Sequence, residues 1–71
     1  MVLDTSAIIA IIANEPDSAR FEAAMLGASV LTIASVTMLE ARMVLYSRHG
    51  GEAARELDEM IEKAGVIIAP F

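Results

Sequence analysis

The chain of 71 residues contains no cysteine or tryptophan, a single histidine, one tyrosine and two phenylalanines. Without cysteine there can be neither a disulfide staple nor a thiolate metal site, and a reducing cytosol fits such a composition. Positive charge is scarce: five Lys and Arg face ten Asp and Glu, for a net charge of −5. A broad basic patch is therefore excluded, so any contact with nucleic acid has to be local or run through bound cations. Long apolar runs are missing as well. The longest, residues 7–13, falls far short of the roughly 20 residues that a bilayer-spanning helix needs. No basic segment precedes that run, and Asp4 stands in front of it, where a signal peptide carries the opposite charge. The expectation is a soluble, cytoplasmic protein.

Against these absences stands an apolar fraction of 56%. That is too high for a disordered tail. Yet a chain of this length buries only about 60% of its unfolded surface, so it is one small domain whose core needs outside support. Met1-Val2-Leu3 reads as a very short apolar strand, closed by Asp4-Thr5-Ser6, any of which can cap a helix over residues 7–13. That helix is apolar on almost every side, which predicts burial on more than one face. Asn14-Glu15-Pro16-Asp17 breaks the chain, and Pro16 suits the first turn of a second helix that ends near Leu26 at Gly27.

Val30-Leu31-Thr32-Ile33 reads as a second buried strand. A third helix, capped by Ser35 or Thr37, continues through Val36, Leu39, Met43, Val44 and Tyr46 to Arg48, and Gly50-Gly51 stop it. Residues 52–64 form an amphipathic fourth helix with an inner stripe of Ala53, Leu57, Met60, Ile61 and Ala64. Arg55, Glu59 and Lys63 follow one another at i, i+4 outside. Val66-Ile67-Ile68-Ala69 is a third apolar strand. Apolar strands alternating with helices imply an α/β fold, a parallel sheet with helices on both faces. Closing on a buried strand, together with the apolar excess, marks residues 1–71 as the first half of a larger domain.

Two acids stand out. In an open parallel sheet ligands bind beyond the carboxyl ends of the strands, and Asp4 lies at such an end. It is equally a good helix cap, which by itself would account for it. Glu40 has Val36, Met43 and Val44 as its helical neighbours and no Lys or Arg three or four residues away, so no intrahelical ion pair explains it. A carboxylate in an apolar stripe is costly unless it finds a partner, protonates or binds a metal; the alternative is a place at the edge of the stripe, in water. Together the two acids suggest a hard-cation site for Mg²⁺ or Mn²⁺. A paired-metal cleft working on a phosphodiester would call for three or four acids. Asp58 and Glu59 do not supply them, because they fall on the outer face of the fourth helix. His49, at a helix end beside Gly50, reads as a favourable charge for the helix dipole rather than a catalytic group.

Three blocks, Val2-Leu3-Asp4-Thr5-Ser6-Ala7, Asn14-Glu15-Pro16-Asp17 leading to Phe21, and Ser35-Val36-Thr37-Met38-Leu39-Glu40-Ala41, in that order and spacing, resemble the N-terminal half of a PIN domain. The resemblance is to the VapC-type ribonuclease toxins of toxin–antitoxin pairs. It implies an α/β/α sandwich, of which residues 1–71 are the N-terminal half. It also implies a metal-dependent endoribonuclease in which Asp4 and Glu40 hold Mg²⁺ or Mn²⁺ and are catalytic. Thr5 and Ser6 match the hydroxyl positions that orient the first acid, and the family's later aspartates lie in its C-terminal half. The implied partners are an RNA substrate, a VapB-type antitoxin whose extended segment covers the cleft, and a second copy in a homodimer. A competing reading is a truncated, non-catalytic module that folds by pairing its apolar surfaces with another protein or copy. A phosphatase or phosphoacceptor domain fits less well, because no second acid follows Asp4 before Glu15.

Overall fold

A computed structural model describes residues 1–70. Four helices and a short parallel sheet follow one another as α1 (Thr5–Ile12), α2 (Ser18–Gly27), β1 (Thr32–Ala34), α3 (Ser35–His49), α4 (Gly51–Lys63) and β2 (Ile67–Ala69). β1 pairs with β2 in parallel, with Thr32 opposite Ile67 and Ala34 opposite Ala69. The opening segment Met1-Val2-Leu3 joins the other edge of β1 through a parallel bridge between Val2 and Thr32. The Leu3 amide donates to the Thr32 carbonyl at 2.8 Å, and the Thr32 amide donates to the Met1 carbonyl at 2.9 Å. β1 is thus the middle of three parallel tracks, each leading into or out of a helix. This is the expected α/β arrangement, with the opening strand reduced to a single bridge.

Helix boundaries follow local chemistry. Asp4, in extended backbone, is the N-cap of α1. At the end of α1 Asn14 takes a left-handed conformation at φ 53°, which Asn tolerates better than most residues. Ser18 starts α2 buried, and its hydroxyl donates to the Asn14 side-chain oxygen at 3.3 Å. Gly50, at φ 85°, lets the chain turn from α3 directly into α4, a backbone angle that a side chain would strain.

The core joins Leu3, Ile8, Ile9, Leu31, Ile33, Met38, Leu45, Leu57 and Ile61 into one cluster. α1 is buried along four consecutive residues, Ala7 to Ala10, as its lack of a polar face requires. In α4 the buried positions are Ala53, Ala54, Leu57 and Ile61. Ala64, expected inside, is exposed because the helix has ended at Lys63, and Met60 is only half-buried. Two further expectations are corrected. α3 turns Met38, Ala41 and Leu45 inward, while the stripe that includes Val36, Leu39, Met43 (63% exposed) and Tyr46 (65%) faces outward. The helix has two apolar faces, and periodicity cannot say which one packs. β2 is likewise not a buried strand: Val66 before it is buried, but Ile67 is 57% exposed and Ile68 is exposed too. An edge strand pairs on one side only, and Ile67 and Ile68, on opposite faces of it, both keep much of their surface in solvent.

Candidate active site

Parallel strands end on the same side of a sheet, and that shared end places the acids. Leu3, held to Thr32, leads straight into Asp4; Ala34, the last residue of β1, leads straight into Ser35 of α3. Glu40 sits about 7–8 Å further along the axis of α3, at 1.5 Å per residue. α1 packs against α3, so Asp4, at the strand end, and Glu40, about a turn and a half along α3, stand on elements in contact.

Both are solvent-exposed. One Asp4 oxygen, Oδ1, accepts the Ala7 amide at 2.8 Å and the Ser6 hydroxyl at 2.9 Å. These bonds, the Ala7 amide foremost and then the Ser6 hydroxyl, hold the Asp4 carboxyl below its usual range, since both favour the charged form. The ionised carboxylate is therefore in place at neutral pH. Its Oδ2 accepts no hydrogen bond among the described residues. Thr5 is half-buried and makes no side-chain hydrogen bond among them either, so of the two neighbouring hydroxyls only Ser6 touches the acid.

Glu40 lies outside the buried stripe, exposed to solvent, which corrects the expectation of a carboxylate set within packed apolar residues. Its exposure follows from the outward turn of that face of α3. Among the described residues it makes neither an ion pair nor a hydrogen bond. It is a free carboxylate on a helix, available to a ligand.

The donor chemistry of the pair, carboxylate oxygens in water, fits part of the coordination of a hard divalent cation. No group of three or more His, Asp or Glu able to hold a metal is found among the described residues. Two acids alone leave the remaining coordination positions to water and to groups beyond the pair.

A cleft lies elsewhere. An open space of ≈690 Å³ runs between α2, α4 and the segments that enter β1 and β2, walled by Met25, Leu26, Met60 and Ile67, with Glu22 and Lys63 among its polar lining. Its residues Val30, Leu31 and Gly65 precede the strands, so it opens at the end of the sheet opposite Asp4. A different feature escaped the sequence altogether. Arg42 closes a two-pronged ion pair with Asp58 between α3 and α4, the Arg42 Nη1 to Asp58 Oδ2 bond measuring 2.8 Å. Sixteen residues separate the partners, and nothing local in the chain announces the contact.

Comparison with known proteins places the chain. It matches the PIN domain family over residues 1–71 and belongs to that family. It is 39% identical over 66 residues to Ribonuclease VapC30 of Mycobacterium tuberculosis, an alignment covering 93% of this chain and 50% of that protein. Similarity to Ribonuclease VapC28 of the same organism is 40% over 70 residues, covering 99% and 53%. For Ribonuclease VapC of Mycolicibacterium smegmatis it is 40% over 68 residues, covering 96% and 53%. The chain spans about half the length of the curated relatives it matches. No helix among the described residues is long and apolar enough to cross a membrane.

Proposed function

We propose that residues 1–71 are the N-terminal half of a PIN domain that hydrolyses RNA phosphodiester bonds as the toxin of a toxin–antitoxin pair, using Asp4 and Glu40 to hold Mg²⁺ or Mn²⁺. The observation that carries this reading is two exposed carboxylates, Asp4 at the carboxyl end of a parallel track and Glu40 on the helix that follows β1, on elements packed against each other. The naming of relatives as ribonucleases supports it.

When bound, the divalent ion supplies an activated water and neutralises charge that develops on the phosphate. The chain's own part is to hold ionised oxygens in place. Asp4 is fixed at its helix cap by the Ala7 amide and the Ser6 hydroxyl. Glu40 is carried on a helix anchored by Leu45 and Ala41 in the core and clasped to α4 through Arg42 and Asp58. The further acids belong to the C-terminal half that the family resemblance implies.

The exposed apolar face of α3 and the exposed Ile67 and Ile68 of β2 support partners as well: a second copy, and an antitoxin that covers the cleft. The same surfaces favour the second reading, a non-catalytic interaction module. Cleavage separates the two. With the full chain as its host makes it, single-stranded RNA is expected to be cut with Mg²⁺ or Mn²⁺ and spared with chelator. Even outer support of a metal site is worth about 10–100-fold, so Glu40→Gln should lower cleavage by about a hundredfold or more while far-UV circular dichroism is unchanged. RNA cleavage that persists in Glu40→Gln contradicts the nuclease reading of this site.

A further inference from the structure

α3 and α4 form a hairpin that turns on a single residue, Gly50. Towards that turn Leu45 and Leu57 are fully buried and hold the pair to the core. Further out the grip weakens. The stretch of α3 that carries Glu40 packs inward through Met38 and Ala41, one a flexible side chain and the other with nothing beyond its Cβ. Neither fixes the rotation of α3 or the opening of the hairpin there. A pair of directional bonds does: Arg42 Nη1 donates to Asp58 Oδ2 at 2.8 Å, and Nη2 donates to Oδ1. Arg42 and Asp58 stand equally far from Gly50 along the chain, about 12 Å out at the rise of a helix, and Glu40 lies about 3 Å beyond. Among the described residues the other ion pairs, Arg20 with Asp17 and Arg55 with Glu52 and Glu59, are local in sequence, and this one alone joins two elements.

We infer that Arg42 and Asp58 are the positioning pair of Glu40: their two-pronged bond sets the opening and rotation of the α3–α4 hairpin, and so the place where the Glu40 carboxylate is presented. The inference rests on the reading of Glu40 as a cation-holding residue and adds to it two residues, on separate helices, that act through the helix frame. Two parallel bonds between planar groups fix direction as well as distance. Both side chains are about half-exposed, at 43% and 46%, so the pair contributes little to stability. Its effect on Glu40 is therefore separable from the fold. Charge makes it separable from simple attraction as well. Arg42→Gln removes a positive charge from the helix that bears Glu40, and Coulomb attraction alone would then tighten cation binding. Asp58→Asn removes a negative charge and would loosen it. Lost positioning loosens it in both.

The test is a Mn²⁺ titration of the full chain, followed by electron paramagnetic resonance of free Mn²⁺, with thermal melts alongside. Arg42→Gln and Asp58→Asn are each expected to weaken Mn²⁺ binding about tenfold, the lower end of what outer partners command in metal sites. The double variant should be no weaker than either single one, since each breaks the same bond. Melting temperatures should stay within about 5 °C of the parent. Binding by Arg42→Gln that equals or exceeds the parent's, or losses that add in the double variant, overturn the inference, while loss of binding in Glu40→Gln leaves the site itself standing. Undiminished binding in Glu40→Gln, or no saturable binding by the parent chain, overturns the metal-site reading and this inference with it.

Discussion

Asp4 caps α1 with the same carboxylate that the proposed function assigns to a cation, and the two duties can be separated. As N-cap it receives the Ala7 amide. Asp4→Ala removes the cap and is expected to cost about 1 kcal/mol of stability at neutral pH, whereas Asn, an equally good cap, should preserve most of it. The cost should depend on pH. Hydrogen bonds to the charged form put the carboxyl below its ordinary value of 3.8 in the folded state. A folded-state value below the unfolded one means stabilisation that is complete above the unfolded value and lost as pH falls through the folded one. Denaturant melts of parent and Asp4→Ala should therefore differ most above about pH 5 and converge towards pH 2; a gap that widens on acidification would contradict the assignment. Asp4 was legible in the chain because strand, acid and helix follow directly on one another. That Ser6 rather than Thr5 supports it was not, since both hydroxyls stand in the right place and only the cap geometry chooses.

α3 shows where sequence periodicity runs out at the level of an element. Met38, Ala41 and Leu45 lie on one face, and Val36, Leu39, Met43 and Tyr46 on another. Both read as apolar stripes, and the larger side chains belong to the face that stays outside. The inward face carries Ala41, fully buried, where a larger side chain would hold the helices apart. Hence the helix and its Gly50 stop were legible, while its cap, Ala34 rather than Ser35 or Thr37, and its rotation, with the exposure of Glu40, were not. A pair of substitutions reads the rotation directly. Leu45→Ala should cost about 2–5 kcal/mol by emptying a fully buried site, and Leu39→Ala should stay within about 0.5 kcal/mol. Chemical denaturation of the two variants checks it, and the reverse ranking would mean that the helix is turned the other way. The Arg42–Asp58 clasp is exposed, so its part in stability is small, about 0–1 kcal/mol. It holds the direction of α3 against α4 rather than the fold itself.

The molecule as a whole combines a well-filled centre with uncovered apolar surface on two sides, the outer face of α3 and the side chains of β2. The alternation of apolar strands with helices was enough to read the parallel α/β sheet and the need for something further to cover it. The third apolar strand, Val66-Ile67-Ile68-Ala69, reads as the one wanting cover; that both Ile67 and Ile68 stand exposed was not readable, because such a run is equally suited to a sheet centre. Exposed patches of this kind mark interaction surfaces in folded proteins. Under the proposed pairing of this face with a second copy, Met43→Lys, at the middle of the exposed α3 stripe, is expected to weaken self-association about tenfold or more, because pairing would then bury an unpaired charge. Light scattering coupled to size exclusion over a concentration series follows that change, and an unaltered oligomeric state would remove this face from the interface.

The acid pair at the sheet end remains the centre of the account, and Asp4→Asn tests it most directly because asparagine keeps the cap and removes the charge. The measurement is divalent-metal-dependent cleavage of single-stranded RNA by the parent chain and by Asp4→Asn, with the melting temperature of each recorded on the same preparation. Expected are cleavage by the parent, a loss of about a hundredfold or more in the variant, and melting temperatures within about 5 °C of each other. Equal cleavage by two equally folded proteins would contradict it.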